Sequence, residues 1–95
     1  MPSTHSSTGH EIRLSRAASR ALAEQLPLGV ASAIWEFLLG PLAENPRRLG
    51  KALSGNLAGY HAARRGSYRV VYRIADNPNV ITVLRIDHRR TVYRR

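Results

Sequence analysis

The strongest constraint on the fold lies between Tyr68 and Asp87. Tyr68, Val70, Tyr72 and Ile74 alternate with Arg69, Val71, Arg73 and Ala75, a period of two that a pleated strand converts into two distinct faces. Asp76-Asn77-Pro78-Asn79 then concentrates turn-forming residues, and Val80 to Asp87 returns as a second run rich in β-branched side chains. These features predict an antiparallel hairpin. Tyr60 to Arg64 reads as a further strand, turned into the hairpin by Arg65-Gly66-Ser67. An isolated hairpin is marginal in water, so other segments must cover one of its faces.

The first half of the chain supplies that cover. Ser15 is a good N-cap for the helix-forming run Arg16 to Gln25. Leu26-Pro27 ends it, because a residue before proline avoids the helical region. From Leu28 to about Leu39, Val30, Ala33, Ile34, Phe37 and Leu38 recur at helical spacing and form one apolar face. Gly40-Pro41 is expected to kink or stop this helix, with a turn over Leu42 to Asn45 before Pro46. Trp35 sits beside the stripe, as core or as a partner surface. His10 to Leu14 alternates polar and apolar and reads as a short strand. The expected order is β-α-α-β-β-β, an α+β fold with a helix hairpin on one face of a mainly antiparallel sheet. Residues 1–9 offer nothing to pack and are expected to be a disordered N-terminal segment. Residues 10–95 make a single domain.

Several classes of function fall away. The 95 residues contain no cysteine, which removes disulfides, cysteine-ligated zinc and thiol nucleophiles, and suits the cytoplasm. The longest apolar run, Ala31 to Leu39, is interrupted by Ser32 and Glu36 and falls short of the roughly 18–20 residues of a membrane span; no membrane partner is expected. There is no GxGxxG, P-loop or GxSxG motif. The six acids are scattered, so no metal site and no cofactor are expected.

Charge points to the partner. Residues 1–46 carry three basic and four acidic residues, whereas residues 47–95 carry twelve and two, a net of +10. Fourteen of the fifteen cations are arginine, whose planar fork suits phosphate and carboxylate. Such one-sidedness favours capture of a polyanion, nucleic acid first and an acidic protein second. The set is Lys51, Arg64, Arg65, Arg69, Arg73, Arg85, His88, Arg89, Arg90, Arg94 and Arg95. Strand alternation puts Arg69 and Arg73 on one side, opposite Tyr68 and Tyr72; the side taken by Arg85 depends on the hairpin register. His61 and His88 can move protons near neutral pH. Tyr93, in the basic C-terminal stretch, can stack on a base or move a proton.

Four segments carry a resemblance: Gly40-Pro41-Leu42-Ala43-Glu44-Asn45-Pro46, Leu49-Gly50-Lys51-Ala52-Leu53, Arg64-Arg65-Gly66-Ser67-Tyr68-Arg69-Val70-Val71-Tyr72-Arg73-Ile74, and Ile86-Asp87-His88-Arg89-Arg90-Thr91-Val92-Tyr93. In these the chain resembles RelE-type toxins of bacterial toxin–antitoxin modules, in a superfamily that also includes the gyrase-directed ParE-type toxins. The resemblance implies a RelE-like fold and a metal-independent endoribonuclease that cuts messenger RNA in the ribosomal A site. It implies catalytic roles for Arg69, at the scissile phosphate, and for Arg64, Arg89, His88 and Tyr93. Lys51, His61, Arg65, Arg73, Arg85 and Arg90 would bind RNA. It implies as partners the ribosome with its message, a RelB-like antitoxin, and operator DNA through the antitoxin complex alone. The alternatives are a ParE-like gyrase inhibitor and a non-catalytic binding protein acting only within an antitoxin complex. Where well-known relatives carry lysines before the Gly-x-Tyr-Arg turn, this chain has Tyr60-His61-Ala62-Ala63. His61, Lys51 and His88 are therefore the candidate general bases.

Overall fold

The computed structural model describes residues 9–88. Its first strand, β1 (Glu11–Leu14), leads into helix α1 (Arg16–Arg20) through Ser15. The Ser15 side chain accepts from the Ala18 amide at 3.0 Å and donates to the Leu84 carbonyl at 2.5 Å. One hydroxyl thus caps the helix and fixes its start to a strand at the far end of the chain. A π-type turn, Ala21–Gln25, prolongs α1 and closes with the Leu26 amide on the Ala21 carbonyl at 2.9 Å.

Of the two outcomes expected at Gly40-Pro41, a kink or a stop, helix α2 (Leu28–Phe37) does not take the stop. It widens into a second π-type turn, Leu38–Leu42, with Pro41 inside it. The physical reason is that proline has no N–H to give and crowds the preceding turn; a wider turn accommodates both. A short helix, α3 (Pro46–Leu49), follows with proline in its first turn, where no donor is missed.

The sheet has five strands in the order β1-β5-β4-β3-β2. Beyond those expected there is a two-residue β2 (Lys51–Ala52) on the edge of β3 (Tyr60–Arg65). β4 (Tyr68–Asp76) and β5 (Asn79–His88) form the expected hairpin. β1 pairs with β5 in parallel; every other pairing is antiparallel. The β4–β5 register slips between Val71 and Tyr72, where Val71 opposes Arg85 and Tyr72 opposes Val83. Leu84 is the extra residue of this bulge, and its carbonyl is the one that Ser15 occupies.

The helices cover one sheet face. Ala18, Ala21, Leu22, Ala31, Ile34, Leu38 and Leu42 meet Ala63, Val70, Tyr72, Ile81, Val83 and Ile86 in a single buried cluster. The buried stripe of α2 is Ala31-Ile34-Leu38-Leu42, turned from the expected one; Val30, Ala33 and Phe37 lie half-buried at its flank. Trp35 is 37% exposed, outside the core. Among the described residues no helix is long and apolar enough to cross a membrane.

Candidate nucleic-acid interface

Alternation along β3, β4 and β5 builds the other sheet face. Because Val70 and Tyr72 point to the helices, Arg69, Val71 and Arg73 point away. The register then lays out three rows across the strands. Arg64 faces Arg69, which faces Asp87. Lys51 faces Ala62, which faces Val71 and then Arg85. Tyr60 faces Arg73, which faces Thr82. Val71 is 2% exposed although it stands on this outer face.

Two guanidiniums directly opposed across strands repel one another. Among the described residues, Lys51, Arg64 and Arg69 form no ion pair, whereas Arg85 Nε meets Asp87 Oδ2 at 2.9 Å. Lys51, Arg64 and Arg69 thus stand together at one end of the face, with Arg73, likewise without an ion pair among the described residues, toward the other end. The first three line a cleft of about 590 Å³ at the β3–β4 end of the sheet, which Tyr68 and Ala63 of the helix side also line, together with Leu49 and Leu53. The tight β3–β4 connection that closes the cleft depends on Gly66, whose φ of 64° disfavours other residues. An anion entering here meets fixed positive charge on rigid strands.

Other expected site residues lie elsewhere. His61 stands opposite Tyr72, on the helix side, and stacks on it with ring centroids 5.7 Å apart. Its Nδ1 is buried and has no hydrogen-bond partner among the described residues. Arg65 and His88 both stand opposite Tyr68, and His88 meets that ring edge-on at 5.0 Å. His61, Arg65 and His88 therefore stand on the other side of the sheet from Arg69, because successive residues of a strand alternate between its faces. Of the three candidate bases, Lys51 is the one on Arg69's face. Arg89, Arg90 and Tyr93, with Arg94 and Arg95, lie outside the described residues. Two members of the face were missed in the sequence, Tyr60 and Asp87. The same period that links Arg64 to Ala62 extends to Tyr60 and was the available signal.

The site rests on a buried support. The Tyr72 hydroxyl donates to the Pro46 carbonyl at 2.5 Å, and burial pushes its pKa up to about 12. Gly50, immediately before Lys51, lies against that hydroxyl; a Cβ there would strike it and come within 2.9 Å of the Ala62 carbonyl oxygen. Glycine at this position lets β2 approach β3 and so sets Lys51 beside Ala62. At the opposite end of the sheet, Arg47 holds Asp76 through two hydrogen bonds of 3.1 and 2.8 Å, keeping that carboxyl below its ordinary range. Among the described residues no three His, Asp or Glu side chains gather where they could hold a metal ion.

Residues 12–93 match the family model described as the ParE toxin of the type II toxin–antitoxin system, parDE. The chain is 43% identical over 86 residues to the toxin RelG of Mycobacterium tuberculosis, covering 90% of this chain and 98% of that protein. It is 44% identical over 85 residues to the toxin RelE of the same organism, covering 90% and 87%. Among solved structures, the toxin–antitoxin complex RelBE2 of M. tuberculosis aligns with a TM-score of 0.80 at 41% identity, over 84% of this chain and 98% of that one. The intact Escherichia coli RelBE complex shares the fold at 20% identity, with a TM-score of 0.68 over 83% and 95% of the two chains.

Proposed function

The chain belongs to the RelE/ParE superfamily of type II toxin–antitoxin toxins, and from that premise we propose that it is a ribosome-dependent endonuclease that cuts messenger RNA in the A site and so stops translation. The observation that carries this reading is the directly opposed pair Arg64 and Arg69, neither of them in an ion pair among the described residues, lining the cleft.

Strand scission of RNA needs little more than charge and proton transfer. The ribose 2′-hydroxyl loses its proton and attacks the adjacent phosphorus. The bond to the 5′-oxygen breaks, that oxygen takes up a proton, and a 2′,3′-cyclic phosphate remains. Arg69 would hold the phosphate as negative charge builds on it, with Arg64 beside it. Lys51 is the proton carrier this face offers: as a neutral amine it would take the 2′-hydroxyl proton, and as the resulting ammonium it would give one up toward the 5′-oxygen, an exchange a guanidinium does not make. Arg89 and Tyr93 continue the chain from His88; by the resemblance Arg89 would add charge, and Tyr93 matches the family's C-terminal tyrosine. The site so composed requires no cofactor. The ribosome supplies the ordered message, and the protein acts in the cytoplasm. A RelB-like antitoxin would hold the toxin inactive, and operator DNA would be reached only through that complex.

The second reading is inhibition of gyrase, favoured by the family model over residues 12–93, which is named for ParE. One experiment separates them. Purified protein is added to ribosomes carrying a defined message, and RNA ends are mapped; the same preparation is tested for loss of gyrase supercoiling. New 5′-hydroxyl ends at a codon in the A site support the nuclease. Intact message with blocked supercoiling overturns it in favour of the alternative.

A further inference from the structure

The outer sheet face carries a second feature apart from the phosphate-binding end. Tyr60 and Arg73 are cross-strand partners, and the Arg73 guanidinium lies over the Tyr60 ring, 6.0 Å from its centroid. Arg73 is exposed and has no acidic partner among the described residues. A guanidinium held over an aromatic ring is a ready stacking plane for a nucleobase. Tyr60 and Arg64 lie four residues apart on one strand, about 13 Å at the usual rise. The row between them is low at its centre, with Ala62 and Val71, and is flanked by Lys51 and Arg85. The face therefore offers a charged end, a smooth floor and an aromatic–guanidinium end in line. Single-stranded nucleic acid presents the matching sequence of groups, phosphate and then a splayed base.

We propose that Tyr60 and Arg73 form a nucleobase-binding subsite for single-stranded RNA, set apart along the same sheet face from the Arg64–Arg69 phosphate site. It would fix how far the message is drawn across the face and thereby which phosphate reaches Arg69. Purines, with the larger stacking surface, are held more tightly than pyrimidines. This inference rests on the RNA reading above.

The test measures binding, so that it does not depend on turnover. Short RNA oligomers with 2′-O-methyl riboses cannot be cut; one series carries all bases, and another has a single abasic residue moved stepwise along it. Anisotropy titrations at low salt compare the parent chain with Tyr60→Phe, Tyr60→Leu and Arg73→Lys. The parent should lose about tenfold in affinity at one abasic position and little at the others, the usual weight of one stacked base. Tyr60→Leu and Arg73→Lys should lose a similar factor on the full oligomer and be indifferent to the abasic position; Tyr60→Phe should behave as the parent. Melting curves matching the parent's show that the variants are folded. Equal binding of full and abasic oligomers by the parent chain, or variants that retain the abasic penalty, would overturn the subsite while leaving the RNA reading intact. Absence of RNA binding together with absence of ribosomal cleavage would remove both.

Discussion

Replacing Tyr72 by phenylalanine tests how the interior holds the functional face in place. Tyr72 is fully buried, and its hydroxyl reaches across to the Pro46 carbonyl at the start of α3. Phenylalanine keeps the ring, its packing and its stacking against His61. It removes only the donor and leaves the carbonyl unsatisfied. An orphaned buried acceptor costs about 1–3 kcal/mol, and for a domain of this size each kcal/mol lowers Tm by about 4–8 °C. Alkaline pH supplies an independent signature. Burial raises the Tyr72 pKa to about 12, while an unfolded tyrosine ionises near about 10. The unfolded state thus releases this proton first. The contribution is whole below pH ~10 and is lost as pH rises toward 12. Thermal melts of both proteins at neutral pH and through this alkaline range read the two effects together. The variant should melt lower at neutral pH and show a shallower alkaline decline. A variant that melts with the parent at neutral pH, and declines equally in alkali, would refute the argument.

Arg69→Ala should lower ribosomal cleavage about 100-fold, roughly 3 kcal/mol of transition-state stabilisation, with an unchanged melting curve; parental cleavage rates by the folded variant would remove Arg69 from the phosphate site. Lys51→Arg keeps the charge but not the exchangeable proton, so cleavage should fall at least tenfold while affinity for the ribosome is retained; single-turnover rates and pelleting assays decide this. Gly50→Ala drives a Cβ into the Tyr72 hydroxyl and toward the Ala62 carbonyl, which should cost about 1–3 kcal/mol in a denaturant titration. An acidic antitoxin should associate with this face at a rate that falls steeply as salt is raised; stopped-flow rates that barely change with ionic strength would exclude electrostatic capture.

The β4–β5 hairpin was readable because alternation and a turn cluster reinforce each other over nearly twenty residues, and both helices announced themselves through Ser15, Pro27 and apolar spacing. Three details were not readable, each for a physical reason. A strand as short as Lys51–Ala52 has no period; it exists because Gly50 allows close approach to β3. The bulge at Leu84 adds one residue to β5 and resets its alternation, so the side taken by Arg85 follows from tertiary pairing. On α2, apolar residues stand side by side at Val30-Ala31, Ala33-Ile34 and Phe37-Leu38, and the choice between adjacent stripes was made by the sheet. The arginine pair at the cleft was legible in part. Spacing gave Arg69 its side, but Arg64 became its neighbour only through the turn at Gly66. His61 and His88 drew attention by chemical type, and their side of the sheet follows from pairing opposite Tyr72 and Tyr68.

The parallel pairing of β1 with β5 bears on how this protein comes into being. Ser15 and Leu84, which its hydroxyl holds, are 69 positions apart, and contacts so distant must pay loop-closure entropy before they give anything back. During synthesis β1 and the helix hairpin emerge first, with no sheet to cover. The sheet has no partner for β1 until β5 has left the exit tunnel. The interval before the last strand closes is one in which a partner synthesised alongside can already be waiting.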